Sequence, residues 1–167
     1  MKSIIISTFP GCGKTFFFKN QIEFGCSVMD LDSYVFKQYK NWENIYVEHI
    51  LNSIGKVDFI LITQQFNILD MLHFNNQQFV TVAPRNEKCM DSKERQLIKQ
   101  QWFGRFYLRD NSHIENLDLW LKKLNRNYNT WTNADIIKTH YPFCHFMLNE
   151  NEYLTDIIEK IYECFNY

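Results

Sequence analysis

The chain has 167 residues and a formal net charge of −1. This length is typical of one domain with a sizeable core, for which the 17% of aromatic residues supply ample material. The near-neutral charge argues against a protein that coats nucleic acid through its overall charge, and the lack of a membrane-length apolar run or a secretory signal predicts a soluble, cytoplasmic protein.

The first predicted element is a buried strand at residues 4–6, followed at once by the glycine-rich turn TFPGCGKT at residues 8–15. Between a strand and a helix, such a turn points successive backbone N–H groups inward, where they attract phosphate oxygens. Gly11 and Gly13 stand where the backbone must approach phosphate closely. The usual pattern opens with glycine, so Thr8 must form the first turn without the freedom of a positive φ. We predict a phosphate-binding loop.

Two side chains of this loop have expected roles. Lys14 would reach the β- and γ-phosphates of a nucleotide, and the Thr15 hydroxyl would ligate the Mg²⁺ that bridges them.

The chain's five cysteines form no CxxC pair, which favours reduced thiols. Cys12 lies at a helix N-terminus, where a thiolate is favoured, but we interpret it as a small loop residue.

The rest of the chain predicts helices that alternate with strands. Helices are expected at 14–23, at 42–54 and at 66–74, with further strands at 26–29, 57–62, 79–82 and 144–148, and a last helix with one apolar stripe from Leu154 to Phe165. Residues 85–133 predict polar helices without a strand and are interpreted as a lid-like insertion. The pattern therefore indicates one α/β domain over residues 1–167, with a mostly parallel five-stranded sheet covered by helices on both faces.

Two aspartates lie where ligands of such a sheet bind, beyond the carboxyl ends of its strands. Asp30 and Asp32 follow the second strand, and their spacing places both on one side if the backbone stays extended. Phosphoryl transfer to a hydroxyl needs a carboxylate that accepts the proton and charge support for Mg²⁺. We assign Asp32 to the acceptor hydroxyl and Asp30 to the metal, although the roles can be exchanged. Helix capping by Asp32 is the alternative.

The end of the third strand separates classes of phosphate-loop proteins. Hydrolytic members of this group end that strand with an acidic residue, whereas this chain continues with Thr63, Gln64 and Gln65. Asp58 lies at the opposite end of the strand and is interpreted as a solvated residue. The pattern therefore favours small kinases over switch GTPases and motors.

A basic segment follows the fourth strand. Arg105 and Arg109 are four residues apart, so on a helix they share one face. An arginine carried on a mobile lid can neutralise the charge that spreads over a transferred phosphoryl group. We predict that both arginines act in this way; a solvated charged helix is the alternative.

Taken together, five stretches of the chain resemble the small phage-type P-loop kinases of the nucleoside monophosphate kinase-like group, which include 5-hydroxymethyldeoxyuridine DNA kinases. The stretches are IISTFPGCGKT, MDLDS, NIYVEHI, WFGRFYLRDNS and MLNENEYLTDII. The resemblance extends over nearly the whole chain, but it departs from the family pattern at two places. The family pattern has Ser-Ser-His after the third strand, where this chain has Thr63, Gln64 and Gln65; this difference affects the residues expected to contact the acceptor hydroxyl. The pattern also has a glycine in the lid where this chain has Asp110.

The resemblance implies a three-layer P-loop NTPase fold and a set of site residues. It implies an acidic site at Asp30 and Asp32 and lid arginines at Arg105 and Arg109. ATP is expected at Pro10, Gly11, Cys12, Gly13, Lys14 and Thr15, with Mg²⁺ as the second cofactor. A phage source would place the protein in the host cytoplasm.

The sequence thus predicts a Mg²⁺- and ATP-dependent kinase whose acceptor is a nucleotide or a 5-hydroxymethyl-pyrimidine within modified DNA. No membrane and no obligate protein partner is expected. Two alternatives remain open: a regulatory protein that binds a nucleotide without transferring phosphate, and a polynucleotide 5′-hydroxyl kinase.

Overall fold

A five-stranded parallel sheet forms the centre of the computed structural model, which describes residues 2–87, 89–108, 117–141 and 143–165. The strands are β1 (Ile4–Thr8), β2 (Val28–Leu31), β3 (Phe59–Thr63), β4 (Phe79–Pro84) and β5 (His145–Leu148). Their order in the sheet is β2-β3-β1-β4-β5, and every neighbouring pair is parallel. All five carboxyl ends therefore meet at one edge, with the end of β1 near its middle.

Seven helices are described. They are α1 (Lys14–Lys19), α2 (Trp42–Ser53), α3 (Phe66–Phe74), α4 (Ser92–Leu108), α5 (Leu117–Trp131), α6 (Ala134–His140) and α7 (Ile158–Phe165), with short 3₁₀ turns at Ser33–Phe36 and Leu154–Ile157. Within the described ranges, none of these helices combines the length and the apolarity needed to cross a membrane.

The alternation of side chains along β1 explains the three layers. Ile4 and Ile6 point to a core shared with α1, α4, α5 and α7, whereas Ile5 points to a second core shared with α2, α3 and α6. Because both faces of the sheet are covered, the strands read as nearly continuous apolar runs. The predicted fold class is confirmed, and the sheet is parallel throughout.

Three local features differ from the prediction. Strand β2 is Val28–Leu31 rather than residues 26–29, so Asp30 lies within the strand and does not follow it. Helix α1 ends at Lys19 rather than at residue 23, because the chain continues in a turn whose hydrogen bond spans three residues, from the Glu23 N–H to the Asn20 carbonyl at 2.9 Å. Helix α6 was not predicted, yet it begins with a recognisable cap, since Asn133 Oδ1 accepts from the Ile136 N–H at 3.0 Å.

The edge strand β5 carries a largely buried histidine that predicts an acid sensitivity. His145 Nδ1 lies 2.7 Å from Thr81 Oγ1, and burial, with Lys138 nearby, lowers the pKa of His145 to about 4. Because the unfolded chain binds this proton near pH 6.5 and the folded chain does not, stability is lost as pH falls from about 6.5 toward 4. The loss between pH 7 and pH 5 is expected to be about 1–2 kcal/mol.

Urea unfolding at the two pH values measures this loss in the wild type and in His145→Gln. The variant should lose less stability on acidification, because glutamine takes up no proton in this range. An identical pH dependence in both proteins would contradict the assignment to His145.

Candidate active site

The glycine-rich loop leaves the end of β1 and is fixed by three other elements. The Phe9 N–H donates to the Val82 carbonyl of β4 at 2.8 Å, and the Leu154 N–H donates to the Cys12 carbonyl at 2.8 Å. From α4, Trp102 Nε1 donates to the Pro10 carbonyl at 2.9 Å. The loop is therefore held in one shape by contacts that originate far away in the sequence.

Both glycines of the loop occupy conformations and spaces that other residues do not tolerate. Gly11 has φ +87° and Gly13 has φ +95°, in the left-handed region. A Cβ atom on Gly11 would lie 3.0 Å from Trp102 Nε1, and one on Gly13 would lie 3.3 Å from the Tyr153 side chain. Thr8, in contrast, remains a strand residue paired with Thr63, so the first position of this loop requires no positive φ.

Cys12 is the small buried loop residue that we interpreted it to be. Its side chain is 1% exposed, and its thiol donates to the Val82 carbonyl at 3.6 Å. Burial raises the pKa of the Cys12 thiol far above its usual range, despite the opposing influence of Arg105 and Lys14. A reactive thiolate is therefore not favoured at this helix N-terminus.

Lys14 and Asp30 meet at the carboxyl edge of the sheet. Lys14 Nζ lies 3.2 Å from Asp30 Oδ1, and the two side chains are 15% and 17% exposed. Their positions at the start of α1 and the end of β2 bring them together across the edge. The Lys14 ammonium therefore pairs with an anionic oxygen at this edge of the sheet.

The surroundings of Lys14 fit a nucleotide triphosphate with Mg²⁺. The loop amides lie at the start of α1, where no side chain caps them, and Thr15 beside them is exposed. The described residues contain no group of three His, Cys, Asp or Glu side chains that could hold a metal ion. The Thr15 hydroxyl and the Asp30 carboxylate are oxygen ligands of the kind that Mg²⁺ prefers and would be the protein groups that hold it.

Asp32 is exposed at the start of the 3₁₀ turn Ser33–Phe36. Its Oδ1 accepts from the Tyr34 N–H at 2.9 Å, so Asp32 caps this turn, as the alternative interpretation of the sequence allowed. The cap fixes the Asp32 carboxylate just beyond the end of β2, two residues after Asp30. Its role toward an acceptor hydroxyl stays a prediction.

Arg105 has a fixed position beside the loop. Its guanidinium lies 4.0 Å from the centre of the Trp102 ring and 4.2 Å from that of Tyr153. It also donates to the carbonyls of Glu152, at 3.1 Å, and Glu150. These contacts tie α4 to the segment after β5. The second predicted lid arginine, Arg109, and Asp110 lie outside the described residues.

Tyr153 is the site residue that the sequence prediction missed. Its ring packs against the Arg105 guanidinium, and its side chain lies beside Gly13, close to where a Cβ atom on Gly13 would be. Only its position just before an apolar stripe marks it in the sequence, and many packing residues share that signal.

The end of β3 is occupied by amides. Gln64 is 3% exposed, and its Nε2 donates to the Trp131 carbonyl at 2.6 Å, while Gln65 Nε2 donates to Ser33 Oγ at 3.0 Å. At the opposite end of the strand, hydrogen bonds from Ser27 to Asp58 lower the pKa of the Asp58 carboxyl. Asp58 is thus a link between β2 and β3, away from the edge where the loop lies.

Comparisons with known proteins address the fold. No family model matches the chain, and no curated protein is similar to it in sequence. A crystal structure of shikimate kinase from Bacteroides thetaiotaomicron matches with a TM-score of 0.51 and 13% identity, over 99% of each chain. At this identity the similarity shows the fold alone, namely a three-layer α/β fold with a five-stranded parallel sheet.

Proposed function

We propose that the chain is a Mg²⁺- and ATP-dependent kinase that transfers a phosphoryl group to a nucleotide or to a 5-hydroxymethyl-pyrimidine in DNA. The observation that carries the proposal is the position of Lys14. Its ammonium lies at the sheet edge, beside a loop whose glycines expose backbone amides, and it holds the Asp30 carboxylate at 3.2 Å. The fold, which a shikimate kinase shares, supports a phosphotransferase.

Each residue of the loop contributes to holding the substrate. Lys14 and the amides of Gly11 and residues 13–15 would donate hydrogen bonds to phosphate oxygens, and the Thr15 hydroxyl would be a ligand for Mg²⁺. When bound, MgATP supplies the phosphoryl group and part of the charge neutralisation. The Asp30 carboxylate would orient the metal's water ligands.

The acceptor side is assigned to Asp32. Its carboxylate orients the acceptor hydroxyl and takes its proton, while the 3₁₀ turn that it caps holds it in place. Arg105 supports the segment after β5 that packs on Gly13, and its positive charge lies near Cys12 of the loop. Arg109 is proposed as the second lid arginine.

One observation favours a non-catalytic nucleotide-binding protein as the second candidate. The Gln64 amide fills the end of β3 and is held by the Trp131 carbonyl, at the position where hydrolytic relatives of this motif carry an acid. A kinase does not require that acid when Asp30 and Asp32 supply the carboxylates, which is why the kinase is preferred.

Asp32→Asn tests the proposal. Asparagine caps a helical turn as well as aspartate does, so the fold should be retained. Without a proton acceptor, kcat should fall by about 10²–10⁴ while the affinity for ATP is unchanged. The measurement is transfer of a γ-phosphate label from ATP to a panel of nucleosides, nucleoside monophosphates, DNA ends and hydroxymethylated DNA.

Asp91→Asn is the matched control. Asp91 Oδ1 accepts from the Glu94 N–H at 2.8 Å and is also an exposed capping aspartate, but it lies at the start of α4. It should leave kcat unchanged. ATP binding without a labelled product from any acceptor of the panel would reject the kinase and favour the regulatory protein.

A further inference from the structure

Helices α4 and α5 enclose a cleft of about 970 Å³ that the proposed function does not use. Its lining on α4 lies next to the face that carries Trp102 and Phe106, the two residues that contact the phosphate-binding loop at Gly11. Asn86, which follows β4 at the carboxyl edge of the sheet, also lines the cleft. The cleft therefore reaches the edge where the loop lies.

The lining is positively charged although the chain as a whole is not. Arg95 and Lys99 on α4 and Lys122 on α5 line it, and Asp118 is the one acidic residue among the described residues of the lining. At pH 7 these side chains give a net charge of +2, against −1 for the whole chain. Such a local excess of positive charge attracts an anionic ligand.

The other lining residues indicate what that anion carries. Phe103 and Tyr107 are aromatic, and Tyr107 is 69% exposed. Four further lining residues carry side-chain amides, which can both donate and accept hydrogen bonds: Gln96, Gln100, Asn125 and Asn129. Asn86 and Asn133 also line the cleft, but their amides bind Thr132 Oγ1 and the Ile136 N–H. Proteins bind single-stranded nucleic acid with cations that contact its phosphates, aromatic rings that stack on its bases and polar groups that form hydrogen bonds with the base edges. The cleft combines all three.

The dimensions favour a strand over a single nucleotide. From Arg95, the first cation of the lining on α4, to Tyr107 the cleft follows the helix for twelve residue steps, or about 18 Å. At about 3.4 Å for each nucleotide of a stacked strand, this length corresponds to about five nucleotides. A duplex fits less well, because its paired and stacked bases cannot present their faces to Phe103 and Tyr107.

We infer that the cleft between α4 and α5 binds a segment of single-stranded nucleic acid and directs it to the sheet edge. The inference deepens the proposed function, because it favours a polynucleotide acceptor over a free nucleotide. Only the transfer of a phosphoryl group to that acceptor rests on the proposed function. Binding in the cleft does not involve the phosphate-binding loop.

Fluorescence anisotropy of a labelled oligothymidylate at low salt tests the inference. The double variant Lys99→Gln/Lys122→Gln should weaken binding by about tenfold or more, and the slope of log K against log salt should decrease by about 1.4, or about 0.7 for each lost phosphate contact. Tyr107→Ala should weaken binding by about fivefold or more through lost stacking. Lys56→Gln, an exposed lysine between α2 and β3 at the opposite edge of the sheet, is the matched control and should bind as wild type does.

Two further measurements separate this inference from the proposed function. Lys14→Ala should retain oligonucleotide binding, and the cleft variants should retain their affinity for MgATP. The inference is overturned if the wild type does not bind the oligonucleotide, or if the double variant binds it as tightly as the wild type. Displacement by thymidine monophosphate at an equal nucleotide concentration would also overturn it, in favour of a single-nucleotide site.

Discussion

Lys14→Ala is expected to lower kcat/KM for ATP by about 10²–10³, which corresponds to the loss of one preorganised donor to a charged reacting group. The amides of the loop remain in this variant, so binding of the nucleotide weakens but is not abolished. Steady-state kinetics with the preferred acceptor, together with calorimetric titration of a nonhydrolysable ATP analogue, separates the effect on catalysis from the effect on affinity.

The structure supplies a matched control for this substitution. Lys19 is an exposed lysine at the end of the same helix, α1, where it lies away from Asp30. Lys19→Ala removes the same charge and should leave both measurements unchanged. If Lys14→Ala and Lys19→Ala reduce activity equally, general electrostatic attraction explains the effect and the role of Lys14 is wrong.

Loss of the Lys14–Asp30 ion pair gives Lys14→Ala a second measurable effect. Asp30 Oδ1 accepts from Lys14 Nζ at 3.2 Å, and the Asp30 side chain is 17% exposed. Removing the ammonium leaves a partly desolvated carboxylate without this donor, which should reduce stability in the absence of ligand. In the wild type, MgATP should raise the melting temperature through mass action, and this rise should be smaller in Lys14→Ala.

Gly11→Ala is expected to destabilise the protein by roughly 2–5 kcal/mol and to abolish detectable nucleotide binding. The left-handed φ of +87° costs an alanine about 1–2 kcal/mol. The added Cβ would also lie 3.0 Å from Trp102 Nε1 and 3.2 Å from Phe106 Cζ, and crowding of this kind costs about 1–3 kcal/mol. Relief of the clash would displace Trp102 from the Pro10 carbonyl and so alter the loop.

Gly104→Ala, in the helix α4 that contacts Gly11, is expected to have the opposite effect on stability. A Cβ on Gly104 meets nothing within 4 Å, and this glycine lies in the interior of α4. Alanine should therefore stabilise the protein by about 0.5–1 kcal/mol. Urea unfolding measures both variants, and a Gly11→Ala protein as stable as Gly104→Ala would contradict the described loop conformation.

Local patterns in the sequence were sufficient to predict the sheet and the loop. The apolar runs of β1 and β3 are buried on both faces, and helix α3 has the predicted bounds of residues 66–74. Gly11 and Gly13 could be identified from the glycine-rich turn between a strand and a helix, and both have a positive φ in the structure. These features depend on neighbours close in the chain.

The surroundings of the site could not be predicted in the same way. Arg105 contacts Tyr153 and the Glu150 carbonyl, which are more than forty residues away along the chain. Gln64 is held by the Trp131 carbonyl, a separation of 67 residues. Such contacts depend on how α4, α5 and the segment after β5 pack, and no local periodicity encodes that packing. Asp32 illustrates a second limit, since capping and catalysis favour the same residue type at the end of a strand.

The most direct test of the account is a crystal structure of the protein with Mg²⁺ and a nonhydrolysable ATP analogue. We expect the triphosphate to lie in the loop of residues 10–15, with Lys14 Nζ bound to phosphate oxygen instead of Asp30. A triphosphate bound elsewhere, or a loop that remains empty with the Lys14–Asp30 pair intact at saturating analogue, would contradict the account.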